Sequence, residues 1–272
     1  MRPRDASSPT GGKEIRMKKI AVCGKGGSGK STVVALLAGG ARDRGYRVLV
    51  VDSDESNPGL YRTLGFHERP EPLLGLVGGK KKVFEAFSEG SDSTKSILTR
   101  EQVRIRDLEP PYVVEKNDIR LVCVGKILQS LEGCACPMGA LSRQFLKRLS
   151  LSKDEVVLVD MEAGIEHFGR GVESGVEIVL AVAEPSFDSL ELAKKIGSLA
   201  AEVGIKRTWA ILNKVTSEEI AGRLRRELEG AGIPVIGSIR YDPEILEAGL
   251  GGCPIHSSRA ESDAGAILDR LV

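Results

Sequence analysis

No run in this 272-residue chain approaches the roughly 18 consecutive apolar residues that cross a bilayer, and its N-terminus lacks the apolar stretch of a secretion signal. A cytoplasmic protein is therefore expected. An excess of one charge is also missing. The 39 Lys and Arg nearly cancel the 38 Asp and Glu, leaving a formal net charge of +1. Composition thus supplies no general attraction to nucleic acid or to an anionic membrane, and neither is an expected partner. Repeats and low-complexity segments are absent. Cysteines are few and odd in number, 5 in all. A reducing cytosol disfavours structural disulfides, so their spacing carries more than their count.

The chain does have 41% hydrophobic residues, enough for one large core and one domain at this length. Met1 to Arg16 are polar and rich in Pro, Gly and charge. They are predicted to form a disordered extension, with Met17 as a candidate natural start and residues 17–272 as the domain. Short apolar runs ending abruptly in polar residues occur at Lys19 to Cys23, Val48 to Val51, Arg120 to Val124, Val156 to Val159, Ile178 to Ala183, Trp209 to Leu212 and Val235 to Ile239. They alternate with helical patterns, such as Leu190, Ala193, Gly197, Ala200 and Val203. That alternation predicts a mostly parallel α/β sheet flanked by helices on both faces, with ligands collected beyond the carboxyl ends of its strands. Residues 57–116 break every periodicity and give no detailed reading.

The first apolar run leads straight into Gly24-Lys25-Gly26-Gly27-Ser28-Gly29-Lys30-Ser31-Thr32. This fits the G-x-x-x-x-G-K-[ST] phosphate loop of single-domain P-loop NTPases. Its glycines let successive backbone N–H groups face phosphate oxygens, and the helix starting near Lys30 adds the positive end of its dipole. ATP is the expected ligand, with Lys30 reaching the β- and γ-phosphates and Ser31 holding Mg²⁺.

One nucleotide already served by Lys30 does not need Lys25. The K-G-G-x-G-K-[ST] form resembles the deviant Walker A motif of the MinD, ParA and nitrogenase iron-protein family. The resemblance implies an ATPase in which Lys25 crosses the interface of an ATP-bound homodimer to the partner's nucleotide, supplying charge in trans. Two carboxylate clusters follow strands, Asp52-Ser53-Asp54 and Asp160-Met161-Glu162-Ala163-Gly164. Asp160 is expected to hold Mg²⁺ through water, and Gly164 to let a second switch approach the γ-phosphate. Asp52 and Asp54 look like the family's first switch, with Asp54 positioning or activating the attacking water. Asn213, followed by Lys214, stands where related proteins use an amide to hydrogen-bond adenine. The stretch Ile239 to Pro243 is expected to cover the base, although it departs from relatives that carry Pro near Arg240.

Cys134 and Cys136 form a C-x-C pair, while Cys23, Cys123 and Cys253 are isolated and are expected to serve as packing residues. Two thiolates are too few for a closed four-thiolate site, but a two-fold dimer would supply four. Such a soft site favours Ni²⁺, Zn²⁺ or Cu⁺ over Mg²⁺ or Ca²⁺. Together with this loop, the stretches Asp160 to Gly171 and Ala183 to Leu190 look like the CooC-type ATPases that assist nickel insertion into carbon monoxide dehydrogenase. The resemblance covers essentially Met17 to Val272. It implies that Cys134 and Cys136 hold nickel or zinc across the dimer and that the client is carbon monoxide dehydrogenase. His167 lies within the second switch and is assigned a structural or nucleotide-sensing role rather than metal.

Three other functions compete. A MinD- or ParA-type positioning ATPase would need a basic amphipathic or DNA-binding face. The tail Ser257 to Val272 carries Glu261, Asp263 and Asp269 and lacks such a face, and only Lys80-Lys81-Lys82 hints at a basic patch. An iron-sulfur scaffold would gather the same cysteines around a cluster. A small-molecule kinase or ligase would need a substrate pocket that nothing in the sequence indicates.

Overall fold

A computed structural model of the chain describes residues 19–54, 57–79, 83, 101–125, 136–165, 167–168, 171 and 175–271. The expected disordered extension, Met17 and Cys134 lie outside the described residues. The elements run β1 (Lys19–Gly24), α1 (Lys30–Asp43), β2 (Arg47–Asp52), α2 (Leu60–Thr63), α3 (Leu73–Leu76), β3 (Val103–Arg104), β4 (Val114–Lys116) and β5 (Ile119–Cys123). They continue with α4 (Cys136–Arg148), β6 (Leu149–Ser150), β7 (Glu155–Asp160), β8 (Ile178–Ala183), α5 (Phe187–Glu202), β9 (Arg207–Val215), α6 (Glu218–Gly230), β10 (Val235–Arg240), α7 (Pro243–Gly251) and α8 (Ser258–Leu271).

Eight strands form one sheet in the order β10-β9-β8-β1-β7-β2-β5-β4. All neighbours are parallel except β4 and β5. Strands such as β7 and β8 are buried at every residue, as a sheet covered on both faces requires. Alternate side chains of β1 enter different cores: Ala21 and Cys23 join the residues of α4, α5 and α6, whereas Ile20 and Val22 join those of α1 and α8. The predicted parallel α/β architecture is the observed one. Among the described residues no helix is long and apolar enough to cross a membrane.

Several boundaries differ from expectation. Val203 falls just past α5 and is 47% exposed, because the helix ends at Glu202. Gly197, by contrast, does face the core, where a Cβ would run into Ile233. At the end of the unread segment, β4 turns directly into β5 through Asn117 and Asp118, both with positive φ. A two-residue connection with two left-handed residues suits the twist of an antiparallel hairpin. Cys23 and Cys123 are buried as expected, but Cys253 is exposed, since it follows the left-handed Gly252 that terminates α7.

Candidate nucleotide site

The phosphate loop connects β1 to α1 and is shaped by left-handed glycines: φ is +81° at Gly27 and +91° at Gly29. A Cβ at Gly29 would overlap the Asn213 amide nitrogen. Asn213 Nδ2 donates to the Ser28 carbonyl at 2.7 Å, and Lys214 Nζ donates to the Gly27 carbonyl. Lys214, itself at φ +57°, also pairs with Glu184 at 2.8 Å. The end of β9 thus braces the back of the loop. The two lysines of the loop differ in setting. Lys30, the first residue of α1, is only 6% exposed, whereas the Lys25 side chain is 37% exposed and lies 3.8 Å from Glu184 and 4.0 Å from Asp188.

The carboxylates meet on the other side of the loop. Asp52 and Asp160 are register partners on β2 and β7. Ser31 Oγ donates to Asp160 Oδ2 at 2.5 Å. Asn57, which sequence reasoning did not single out, donates from Nδ2 to Ser31 Oγ at 2.6 Å and from its backbone N–H to Asp54 Oδ1 at 3.2 Å. Asp52, Asp54 and Asp160 are all buried. Burial, reinforced by the Asp52 charge, pushes the Asp160 carboxyl up from 3.8 to about 7; the Ser31 hydrogen bond and Lys30 oppose this rise, and Asp54 adds to it. Gly164 donates its N–H to the Gly24 carbonyl at 3.3 Å, placing the segment after β7 against the loop.

An oxygen-only donor set of hydroxyl and carboxylates fits Mg²⁺, which is usually held by one or two carboxylates plus water and phosphate oxygens rather than by an all-protein cage. Among the described residues Asp160 Oδ1 is buried without a hydrogen-bond partner, and so is Ser28 Oγ. A cation beside Asp160 would offset the penalty that raises its pKa. Among the described residues no cluster of three or more His, Cys, Asp or Glu side chains is arranged for a metal ion.

A cavity of about 290 Å³ opens beside the loop, lined among others by Gly29, Thr32, Asn213, Tyr241, Asp242 and Leu250. The predicted base-covering stretch is therefore next to Asn213. Asp242 shapes this wall by capping α7 and by holding Ser257, which caps α8. Its carboxylate accepts the Glu244 N–H at the start of α7 and the Ser257 hydroxyl, and the Ser257 oxygen accepts the Ala260 N–H at the start of α8. The Ser257 hydrogen bond also holds the Asp242 carboxyl below its ordinary pKa.

The model for the CobQ/CobB/MinD/ParA nucleotide binding domain, CbiA, matches residues 19–255. The chain belongs to this nucleotide-binding family. Among relatives, an uncharacterized ATP-binding protein of Methanocaldococcus jannaschii is 41% identical over 89% of this chain and 96% of its own. The carbon monoxide dehydrogenase accessory protein CooC of Rhodospirillum rubrum is 34% identical over 93% of this chain and 97% of its own. The septum site-determining protein MinD of Pyrococcus horikoshii, in complex with Mg-ADP, has the same fold, with a TM-score of 0.66, 19% identity and 93% of each chain covered. Family membership thus supports nucleotide binding, in line with the ATP-binding relative.

The remaining candidates are the C-x-C pair and His167. Cys136 opens α4, but its side chain and all of Cys134 lie outside them. His167 is buried beside Phe168, with ring centroids 4.8 Å apart. Asn57 belongs to no motif and acts through Ser31, far from it in sequence, while Glu184, within the quoted Ala183 to Leu190 stretch, received no role because its partners Lys25 and Lys214 are distant in sequence.

Proposed function

We propose that the chain is an ATPase that serves the assembly of a metal centre, with nickel or zinc as cargo and carbon monoxide dehydrogenase as client. The near full-length likeness to a carbon monoxide dehydrogenase accessory protein, in a chain that also carries Lys25 and the C-x-C pair, carries this reading. In it, the loop N–H groups from Gly24 to Thr32 and Lys30 bind the phosphates, while Asn213, Lys214 and the cavity wall orient the nucleoside. Ser31 and Asp160 hold Mg²⁺, which when bound neutralises phosphate charge; Asp52, the register partner of Asp160, adds a second negative charge beside the ion. Asp54 orients the attacking water, and Gly164 senses the γ-phosphate end through its backbone. The exposure of Lys25, set against the burial of Lys30, supports a role at the surface, where a second subunit can receive it. Cys134 and Cys136 from each subunit of the ATP-bound homodimer bind the cargo, and hydrolysis opens the dimer to release it.

Native mass spectrometry of the full chain with nickel, with and without ATP, tests this. One nickel per ATP-stabilised dimer, lost on Cys134→Ser, is the expected result. ATP-driven dimers without specific metal would reassign the protein as a positioning or regulatory ATPase.

A further inference from the structure

The buried face of α4 carries Met138, Leu141, Ser142, Phe145 and Leu146. Ser142 is fully buried and is the hydroxyl in this otherwise apolar row. A helical serine in a core usually turns to a carbonyl of its own helix. Here Ser53 Oγ donates to Ser142 Oγ at 3.1 Å. Ser53 sits between Asp52 and Asp54, and its backbone N–H donates to the Asp160 carbonyl at 3.0 Å. One residue therefore ties both strand ends of the Mg²⁺ side of the crevice to α4.

The rest of α4 is seated with little slack. Beside its first turn, a Cβ on Gly125 would come within 2.8 Å of Met138 Cγ. Beside its last turn, a Cβ on Gly175 would lie 2.6 Å from Leu146 Cβ and 3.2 Å from the Leu146 carbonyl carbon. A Cβ on Gly171, in the segment after β7, would lie 3.3 Å from Arg143 Nη1. Close-packed elements of this kind shift between discrete positions rather than deforming continuously. If nucleotide moves the 52–54 segment, either the Ser53–Ser142 bond breaks inside the core or α4 follows. An unpaired buried hydroxyl is disfavoured, so movement of the helix is the favoured outcome.

We infer that Ser142 is a positioning residue through which nucleotide at the Asp52 to Asp54 segment sets the position of α4 and of Cys136, its first residue. This rests on the metal-accessory reading, because it supplies the route by which ATP acts on the C-x-C pair.

The test follows Cys136 alkylation by iodoacetamide with peptide mass spectrometry, with and without a non-hydrolysable ATP analogue and Mg²⁺. The exposed Cys253 serves as the reference thiol. Nickel affinity is measured on the same samples. In the wild type the analogue is expected to change the Cys136 rate about tenfold, within the usual range of coupling between sites. In Ser142→Ala, and separately in the half-buried Ser53→Ala, the effect should shrink below about twofold while analogue affinity is retained. Ser53→Thr, which keeps a hydroxyl, should keep the effect. A wild-type response in both alanine variants overturns the inference. Nickel binding with no response to ATP in the wild type also overturns it, yet leaves the cargo assignment standing. A response that runs through Ser142 in a protein that binds no nickel supports the coupling and removes the metal reading.

Discussion

Ser31 in the first turn of α1 donates a 2.5 Å hydrogen bond to Asp160 at the end of β7, so the hydroxyl and carboxylate best suited to Mg²⁺ already face one another. Asp160 has its pKa raised to about 7 from 3.8, so the folded state holds a proton that the unfolded chain releases between these values. Stability without nucleotide should therefore fall as pH rises from about 4 to about 7, by up to about 4 kcal/mol if no other group compensates. Asp160→Asn should flatten this dependence in urea titrations at a series of pH values. Mg²⁺ should compete with the same proton, so apparent Mg-ATP affinity in the wild type should weaken as pH drops below about 7.

Gly29 combines a left-handed φ with the Asn213 amide lying where a Cβ would stand. Gly29→Ala is expected to distort the loop and lower ATP affinity at least about tenfold, because strain and overlap act together. Isothermal titration with ATP and Mg²⁺ checks this, and unchanged affinity would show that the loop yields at little cost.

Lys25 is half-exposed near Glu184 and Asp188 rather than buried with Lys30. Lys25→Ala should keep ATP affinity within a few-fold while reducing turnover by about 10³-fold, the lower range for a charge supplied in trans. Phosphate release and sedimentation with ATP measure the two effects. Unchanged turnover would end the role in trans.

Asn57 bridges Ser31 and the Asp54 segment. Removing its amide in Asn57→Ala should weaken Mg²⁺-dependent nucleotide binding by about 1 kcal/mol, roughly fivefold, as for a lost hydrogen bond. Binding measured with and without Mg²⁺ should show the loss only when the ion is present.

The strands most legible in the sequence were the central ones. Ile178 to Ala183 matches β8 residue for residue, since a strand buried on both faces must be continuously apolar. The ends of β9 were less legible, because Arg207 and Thr208 are polar and only half-buried and the polar Asn213 and Lys214 interrupt the apolar run. The hairpin at Asn117 and Asp118 escaped notice because β4 is three residues long at the sheet's edge, with two of them exposed. Cys253 was expected in the core, but the left-handed turn at Gly252 leaves it exposed.

The sequence alone determined the phosphate loop, because its chemistry is contiguous: nine residues carry the glycine conformations, the lysine and the hydroxyl together. It also placed Asp52 and Asp160 at strand ends, since apolar runs that stop at a polar residue mark the carboxyl edge of a parallel sheet, whereas Asn213 falls inside β9. Only the tertiary structure decided what those residues touch. Ser31 meets Asp160 across 129 residues, Ser53 meets Ser142 across 89 and Asn213 meets the Ser28 carbonyl across 185. Hydrogen-bond partners so far apart are chosen by strand order and helix packing, which local periodicity does not encode.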